Sequence, residues 1–212
     1  MNVARVRAKW QGAGAGARYA HGRWRSERAR QRDPALVAAL LEEHLPPRAG
    51  GALLLDAPCG TGRFSATLAR FGRTVGLDVS ASMLAEARAS LARARILRGD
   101  VTRLPFRDST FDAVVCCRLL HHLAEPAALE TVLRELVRVT RGLVIASFWD
   151  AGSWPAWRAR VFASARPPRR WARSRPELAR ALALAGADVV GWKHSLRFAS
   201  RQAFVAARKC AP

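Results

Sequence analysis

The sequence predicts an α/β fold, with a doubly wound, mostly parallel sheet of seven strands that ends in an antiparallel hairpin. Short apolar runs alternate with stretches of helical periodicity along most of the chain, as in successive βαβ units. A glycine turn, Gly60-Thr61-Gly62, separates the first apolar run from the helix that follows. Two apolar runs near the C-terminus are joined by only a short loop, which is the pattern of a hairpin.

The first strand and its turn occupy the stretch LLLDAPCGTGRF, from Leu53 to Phe64. Three consecutive leucines predict a buried parallel strand, and Asp56 ends it. The glycines then let the backbone approach a ligand, and the next helix directs its N-terminus at the same place. We therefore expect the ligand-binding site of the chain at this turn.

The segment before this strand predicts one helix and a separate extension. Asp33 is the predicted N-cap and Pro34 the first-turn residue of a helix over 35–45, whose leucines recur at helical spacing. Residues 1–34 are basic, with interleaved aromatic side chains, and predict either a lid over a ligand or an exposed arm. The predicted folded domain therefore comprises residues 35–208.

After the glycine turn, strands and helices alternate to the end of the chain. Ser80 is the predicted N-cap of a helix. The segment 150–174 differs, because it is rich in arginine, tryptophan and proline and has no strand pattern. The remaining strands are predicted at 74–78, 96–100, 111–117, 143–149, 187–193 and 203–208, and the helices at 81–91, 125–139 and 176–185.

Composition and charge limit the class of protein. No apolar run is long enough to span a membrane, and the N-terminus lacks the apolar core of a secretory signal. The four cysteines form no CxxC pair, which indicates neither zinc nor a disulfide framework and favours a reducing cytoplasm. The formal net charge is +20, and nearly all 36 basic residues are arginines. This charge reflects either GC-rich coding or an acidic partner such as nucleic acid, an anionic membrane or a phosphorylated substrate.

The residues around the glycine turn distinguish among nucleotide ligands. The turn lacks the third glycine of a GxGxxG motif, and the chain has no GxxxxGK[ST] loop for nucleoside triphosphates. A carboxylate at Asp56 would repel a pyrophosphate but suits an ammonium group. Asp78 and Asp100 end the next two strands, and a carboxylate at the first of these places can accept hydrogen bonds from both ribose hydroxyls. Three acids thus line the crevice in which open α/β sheets bind ligands.

Five segments follow one another in order: LDAPCGTGRF, GLDVSASML, GDVTRLPF, FDAVVCCRLLHHL and RELVRVTRGLVIASF. They resemble the motifs of class I S-adenosylmethionine-dependent methyltransferases, most closely the branch of small-molecule enzymes similar to those of ubiquinone and menaquinone biosynthesis. The resemblance covers about residues 35–208. It implies a Rossmann-like fold, S-adenosylmethionine as cofactor and methyl transfer as the reaction. The lead-in Ala57-Pro58-Cys59 departs from the commoner small or glycine residues.

The resemblance also implies a role for individual residues. The acid that ends the first strand would anchor the methionine amino group, and the two glycines would admit the methionine and ribose. The acid of the second strand would hold the ribose hydroxyls, and that of the third would accept from the adenine amino group. The implied cofactor-binding residues are Asp56, Gly60, Gly62, Asp78, Val79, Met83, Asp100, Val101, Cys117 and Arg118.

Methyl transfer from a sulfonium is an in-line displacement, and positioning of the activated donor supplies much of the catalysis. A base is needed only where the acceptor must lose a proton. His121 and His122, which follow the fourth strand, are the candidate bases because imidazole titrates near neutral pH. A capping or supporting role for these histidines is the alternative.

The acceptor is expected over the carboxyl ends of the strands, covered by residues 1–34 and 150–174. In the second of these segments, apolar residues recur at helical spacing among arginines, at Trp154, Trp157, Val161 and Phe162. Three interpretations stay open: a basic amphipathic helix on a membrane surface, an RNA-binding segment, or a cover helix that packs its tryptophans on the sheet.

The sequence therefore favours a methyltransferase for a small-molecule or lipid acceptor. An enzyme that acts on RNA or protein is the second hypothesis, because of the charge of +20, although no Asn/Asp-Pro-Pro-aromatic motif follows the fourth strand. A non-catalytic S-adenosylmethionine-binding partner or sensor is the third, and a nicotinamide-dependent oxidoreductase is the least favoured. The sequence predicts neither the acceptor atom nor the oligomeric state.

Overall fold

The computed structural model describes residues 27–90, 95–161, 170–196 and 199–211. The strands are β1 (Ala52–Asp56), β2 (Gly72–Asp78), β3 (Arg95–Arg98), β4 (Phe111–Cys116), β5 (Thr140–Trp149), β6 (Ala187–His194) and β7 (Gln202–Lys209). The helices are α1 (Glu27–His44), α2 (Ser65–Leu68), α3 (Ala81–Ser90), α4 (Pro126–Val139), α5 (Trp154–Val161) and α6 (Arg175–Leu184), with a 3₁₀ turn at Leu120–His122.

The strands form one seven-stranded sheet in the order β3-β2-β1-β4-β5-β7-β6. Strands β1 to β5 pair in parallel, whereas β7 is antiparallel to both of its neighbours. The chain leaves β1 outward to β2 and β3 and then returns to the other side of β1 for β4, so the order reverses between β1 and β4. Ligands of open α/β sheets bind at such a reversal. The predicted fold class is confirmed.

Two apolar layers cover the sheet, because successive residues of a strand point to opposite faces. Leu54 packs on one face with apolar residues of α1 and α2, such as Leu40 and Leu68. Leu55 packs on the other face, in a cluster that includes Val132 of α4 and Leu178 of α6. Helices on both faces leave the carboxyl edge of the parallel strands as the open side of the sheet.

The prediction of an N-cap at Asp33 is wrong, because α1 already begins at Glu27 and continues through Pro34. Proline lacks an N–H and so removes one bond of the helical ladder, which a helix packed along its length can tolerate. The predicted boundary between residues 34 and 35 therefore falls inside α1. Residues 1–26 of the possible lid over 1–34, and residues 162–169 of the predicted cover segment, lie outside the described residues.

Smaller differences concern the ends of strands. β3 ends at Arg98 instead of Asp100, because Asp100 enters a turn in which its Oδ1 accepts a hydrogen bond from the N–H of Thr102 at 3.0 Å. β5 begins at Thr140, three residues before the predicted strand over 143–149. All four cysteines are free thiols. Among the helices described, none is long and apolar enough to cross a bilayer.

Candidate functional site

A cleft of about 1050 Å³, part of it open to solvent, lies at the carboxyl ends of β1, β2 and β4. It coincides with the reversal of strand order. Its walls come from the glycine turn, from the loops after β2 and β3 and from the residues after β4. Eight of the ten predicted cofactor residues line it, namely Gly60, Asp78, Val79, Met83, Asp100, Val101, Cys117 and Arg118.

The glycine turn opens toward the cleft at Gly60. Its φ of +55° lies in the left-handed region, and beyond its chain neighbours no atom of the described residues lies within 4 Å of the position that a Cβ would occupy there. The N–H of Gly60 donates to Asp78 Oδ2 at 2.9 Å, which attaches the turn to β2. Gly62, with φ +77°, is buried and donates to the carbonyl of Cys59 at 3.0 Å. Gly62 therefore shapes the turn and does not line the cleft.

Asp56 is buried beneath this turn and likewise does not line the cleft. Neither of its carboxylate oxygens has a hydrogen-bond partner among the described residues. Burial, and after it the negative charge of Asp78, raise the pKa of the Asp56 carboxyl well above its usual value. A cationic group that reached this carboxyl would satisfy its oxygens and favour the ionised form.

The carboxyl group of Asp78 lies in the cleft wall. Its Oδ1 accepts from the N–H of Ser80 at 2.9 Å, and its Oδ2 accepts from the turn. Burial raises the pKa of Asp78, and these N–H groups act in the opposite direction. Each carboxylate oxygen can accept a second hydrogen bond. Asp78 therefore keeps acceptor capacity for two neighbouring donors, such as the hydroxyls of a ribose.

The predicted helix N-cap at Ser80 is confirmed in α3. The Oγ of Ser80 accepts from the N–H of Met83 at 3.3 Å. This bond fixes the first turn of α3 and places Met83 in the cleft wall, on the side of Val79 and Val101. The same side of the cleft contains Asp100. Apolar side chains and one acid thus line this part of the cleft.

An ion-pair cluster that the sequence did not reveal lies on the opposite side of the cleft. Asp33 Oδ2, on α1, accepts from Arg63 Nη1 at 2.9 Å and from Arg118 Nη1 at 3.3 Å. Both arginines line the cleft, and Asp33 is buried. Asp33 thus holds two guanidinium groups beside the ligand space. No local signal pointed to this cluster, because its members are 30 and 85 residues apart.

Arg118 also has an unusual backbone. Its φ of +64° lies in the left-handed region, which residues other than glycine adopt at a cost. Its N–H donates to Ser147 Oγ of β5 at 2.7 Å, which stabilises this conformation. The strained residue thus directs its side chain to the cleft at the end of β4.

His121 and His122 lie in the 3₁₀ turn that follows β4, and both line the cleft. Their side chains are buried, with ring centroids 4.4 Å apart. The His121 ring stacks on the indole of Trp149 at 5.0 Å with an interplanar angle of 10°. The guanidinium groups of Arg170 and Arg201 lie over the same indole at 5.0 and 5.2 Å. Behind the His121 ring, which lines the cleft, lies an indole that two guanidinium groups contact.

The cysteines of the cleft are not suited to nucleophilic chemistry. Cys59 and Cys117 are both buried. Burial is the main cause that raises the pKa of each thiol, so both stay protonated at neutral pH. They act as small packing residues in the turn and at the end of β4.

Comparison with known sequences gives matches in the region that builds the cleft. Residues 54–142 match the family described as a methyltransferase domain. A demethylmenaquinone methyltransferase of Streptomyces avermitilis is 31% identical over 166 residues, which cover 66% of this chain and 70% of that relative. A malonyl-[acyl-carrier protein] O-methyltransferase of Pectobacterium atrosepticum is 45% identical over 104 residues, which cover 48% of this chain and 40% of that relative. The chain spans less than half the length of this and several other relatives that it matches.

Comparison with solved structures extends the likeness to nearly the whole chain. The magnesium protoporphyrin IX methyltransferase of Synechocystis PCC 6803, crystallised with bound SAH, superposes with a TM-score of 0.77. The superposition covers 97% of this chain and 99% of that one, at 19% sequence identity. At this identity the likeness concerns the fold.

Proposed function

This chain belongs to the family of S-adenosylmethionine-dependent methyltransferases, and we propose that it transfers the methyl group of S-adenosylmethionine to a small-molecule or lipid acceptor. The observation that carries the proposal is the convergence of Gly60, Asp78, Asp100 and Arg118 on one cleft at the reversal of strand order. These residues lie at or after the ends of four different strands, so their convergence is not a consequence of sequence proximity.

The residues fit the parts of S-adenosylmethionine. The unpartnered, buried carboxyl of Asp56 suits the amino group of the methionine, directly or through water. Asp78, which retains acceptor capacity, would hold the ribose hydroxyls, and Asp100 would accept from the adenine amino group, with Met83 and Val79 along the ring. The guanidinium groups of Arg63 and Arg118, which line the cleft, suit the methionine carboxylate.

The cofactor supplies a methyl group that is already activated on a sulfonium. The chain then needs to hold donor and acceptor in line and to exclude competing water, so positioning is the main contribution. Where the acceptor must lose a proton, His121 or His122 is the proposed base. Replacement of the base by asparagine should remove the acidic limb of the pH–rate profile, whereas replacement of a supporting histidine should leave that limb in place.

The acceptor class rests on the composition of the cleft and on the relatives. The names of the two sequence relatives and of the Synechocystis enzyme refer to a quinone, a malonyl group and a porphyrin. His121, in the cleft wall, stacks on an indole that two guanidinium groups contact. Both observations support a small molecule or lipid with an aromatic or anionic part as the acceptor.

Calorimetric titration with S-adenosylmethionine and S-adenosylhomocysteine tests the cofactor proposal. We expect both to bind, and Asp78→Asn to weaken binding by about 10–100-fold, since hydrogen bonds to a charged group are lost. Asp188→Asn makes the same change of charge at an exposed position on β6 and should leave affinity unchanged. Absence of binding to the wild type, or equal affinity of the two variants, would refute the proposal.

The charge of +20 favours a second candidate, methyl transfer to RNA or protein. Transfer of a tritiated methyl group to total RNA, to total protein and to a small-molecule and lipid extract separates the two candidates. We expect label in the extract only. Label in RNA or protein above a heat-inactivated control would establish the second candidate, and bound cofactor without transfer to any fraction would indicate a binding protein.

A further inference from the structure

Helix α5 follows the carboxyl end of β5 and presents large apolar side chains to solvent. Trp154, Trp157 and Val161 are 52%, 43% and 55% exposed. The two indoles stack on each other, with ring centroids 4.7 Å apart and an interplanar angle of 22°. The interpretation of a cover helix that packs these tryptophans on the sheet is therefore wrong.

The surroundings of α5 are basic. Residues 151–175 contain seven arginines and no acidic residue. Arg158 is exposed and lies four residues after Trp154, so both side chains share one face of the helix. Among the described residues, Arg158 forms no ion pair, whereas Arg173 and Arg175 pair with Glu177 and Asp150. The exposed face of α5 thus combines indoles with an uncompensated positive charge.

This face lies at the same edge of the sheet as the cleft. β5 ends at Trp149 and the chain enters α5 five residues later, on the side where the carboxyl ends of β1 and β4 form the cleft. Leu196 is 41% exposed and follows β6, which runs in the same direction as β5. Exposed apolar side chains of α5 and of the loop after β6 therefore lie at the same edge of the sheet as the cleft.

We propose that the α5 surface, formed by Trp154, Trp157, Arg158 and Val161, docks on an anionic phospholipid membrane. Indoles favour the headgroup region of a bilayer, and arginines are attracted to anionic lipids within the range of salt screening. Binding strengthens with the apolar area that inserts and with this attraction. The proposal does not depend on methyl transfer, but such docking would turn the cleft toward the membrane.

The stacked indoles disfavour single-stranded nucleic acid as the occupant. Nucleic-acid platforms stack successive bases on the free faces of aromatic rings. Here Trp154 and Trp157 already cover one face of each other. A membrane contact needs only the edges and outer faces of the rings. It therefore suits the stacked arrangement better than single-stranded nucleic acid does.

Flotation with vesicles of phosphatidylcholine alone, or with 30% phosphatidylglycerol, tests the proposal on the full chain. We expect binding to the anionic vesicles, weakened about tenfold or more in Trp154→Ala/Trp157→Ala, because this change removes apolar area and no charge. Leu184→Ala, at a residue 65% exposed on α6, is the matched apolar control and should bind as the wild type does. Arg158→Gln should weaken binding about fivefold, and the exposed Arg180→Gln should not.

Folding and cofactor affinity serve as controls, because the changed side chains are exposed. The thermal midpoint and S-adenosylhomocysteine affinity of each variant should match the wild type, and Trp154→Phe/Trp157→Phe should retain most of the vesicle binding. Equal vesicle binding by wild type and the double alanine variant would overturn the proposal, since diffuse charge would then suffice. Loss of single-stranded RNA binding in that variant, with or without loss of vesicle binding, would assign the surface to nucleic acid instead.

Discussion

The carboxyl group of Asp56 carries a penalty for stability at neutral pH, and we propose that it also binds the cofactor. In the folded chain, burial raises its pKa, and no described residue donates to it. In the unfolded chain a carboxyl of this type ionises near pH 4. The folded state therefore holds a proton that the unfolded state releases. The contribution of the Asp56 carboxyl to stability is fully present below about pH 4. It is lost as the pH rises toward the pKa of this group in the folded chain.

We expect Asp56→Asn to stabilise the protein without ligand and to weaken cofactor binding. At pH 7.5, Tm should rise by about 2–4 °C, the shift that corresponds to ~1 kcal/mol in a chain of this size, and should depend less on pH between 5 and 8. S-adenosylmethionine affinity should fall, because its ammonium group loses a carboxylate partner. Calorimetry of unfolding and of binding checks both effects. A lower Tm together with unchanged affinity would show that Asp56 is a structural acid.

Asp33 is a second single residue on which the cleft depends, because it pairs with the side chains of Arg63 and Arg118. Its pair with Arg63 is buried, with side-chain exposures of 6% and 8%, and removal of one partner of a buried pair costs about 3–5 kcal/mol. Asp33→Asn should therefore destabilise the protein by about this amount and weaken S-adenosylmethionine binding. Asp33→Glu keeps the charge and should lose less stability and less S-adenosylmethionine affinity.

An exposed ion pair provides the control for this prediction. Arg70 and Glu42 pair at 3.1 Å with side-chain exposures of 63% and 54%. Glu42→Gln should cost less than about 1 kcal/mol, because solvent screens such a pair. Denaturant unfolding of the three variants gives the comparison. A cost at Asp33→Asn no larger than that at Glu42→Gln would mean that the buried cluster does not hold α1 to the cleft.

At the scale of elements, the sequence predicted the strands and helices whose signals are local. The run Leu53 to Asp56 reveals β1 because its burial is continuous, and Ser80 reveals α3 because an N-cap acts within one turn. The start of α1 could not be predicted, because Asp33-Pro34 has the local signature of a helix start while its carboxylate serves distant arginines. Long-range ion pairs leave no periodic trace in a sequence.

The start of β2 depends on a glycine that the sequence analysis did not single out. Gly72 pairs with Ala52 at the first register position of β1 and β2. A Cβ on Gly72 would lie 2.0 Å from the carbonyl oxygen of Ala52, which is backbone and cannot rotate away. Its φ of +155° adds strain for any other residue. The close approach of the two strands at this end therefore requires glycine.

Gly72→Ala should destabilise the protein by about 3 kcal/mol or more, because overpacking is added to backbone strain. Gly50→Ala is the matched control, because Gly50 has φ +79° but nothing within 4 Å of its Cβ position. That variant should cost only about 1 kcal/mol, the penalty of a left-handed conformation. Urea unfolding separates the two contributions, and equal costs would show that the strands shift to accommodate the methyl group.

At the scale of the whole molecule, 36 basic residues face 16 acidic ones. Several acids are already shared between arginines, as Asp112 is between Arg48 and Arg141 and Asp33 is between its two partners. The remaining arginines repel one another over distances that salt can screen. The folded state brings them closer than the unfolded chain does, so this repulsion lowers stability at low ionic strength.

We therefore expect Tm to rise by about 2–4 °C when NaCl is increased from about 20 to 200 mM, since the Debye length then falls from about 20 Å to below 10 Å. NaCl also weakens the exposed ion pairs, which lowers Tm, but this effect is small for each pair. Sodium sulfate at equal ionic strength distinguishes screening from anion binding. General screening predicts equal Tm values in the two salts. Sulfate bound on the arginine side of the cleft predicts a further rise in Tm, which Arg118→Gln should remove. A Tm that falls with NaCl would show that attractive pairs, such as that of Asp112 with Arg48, outweigh the net repulsion.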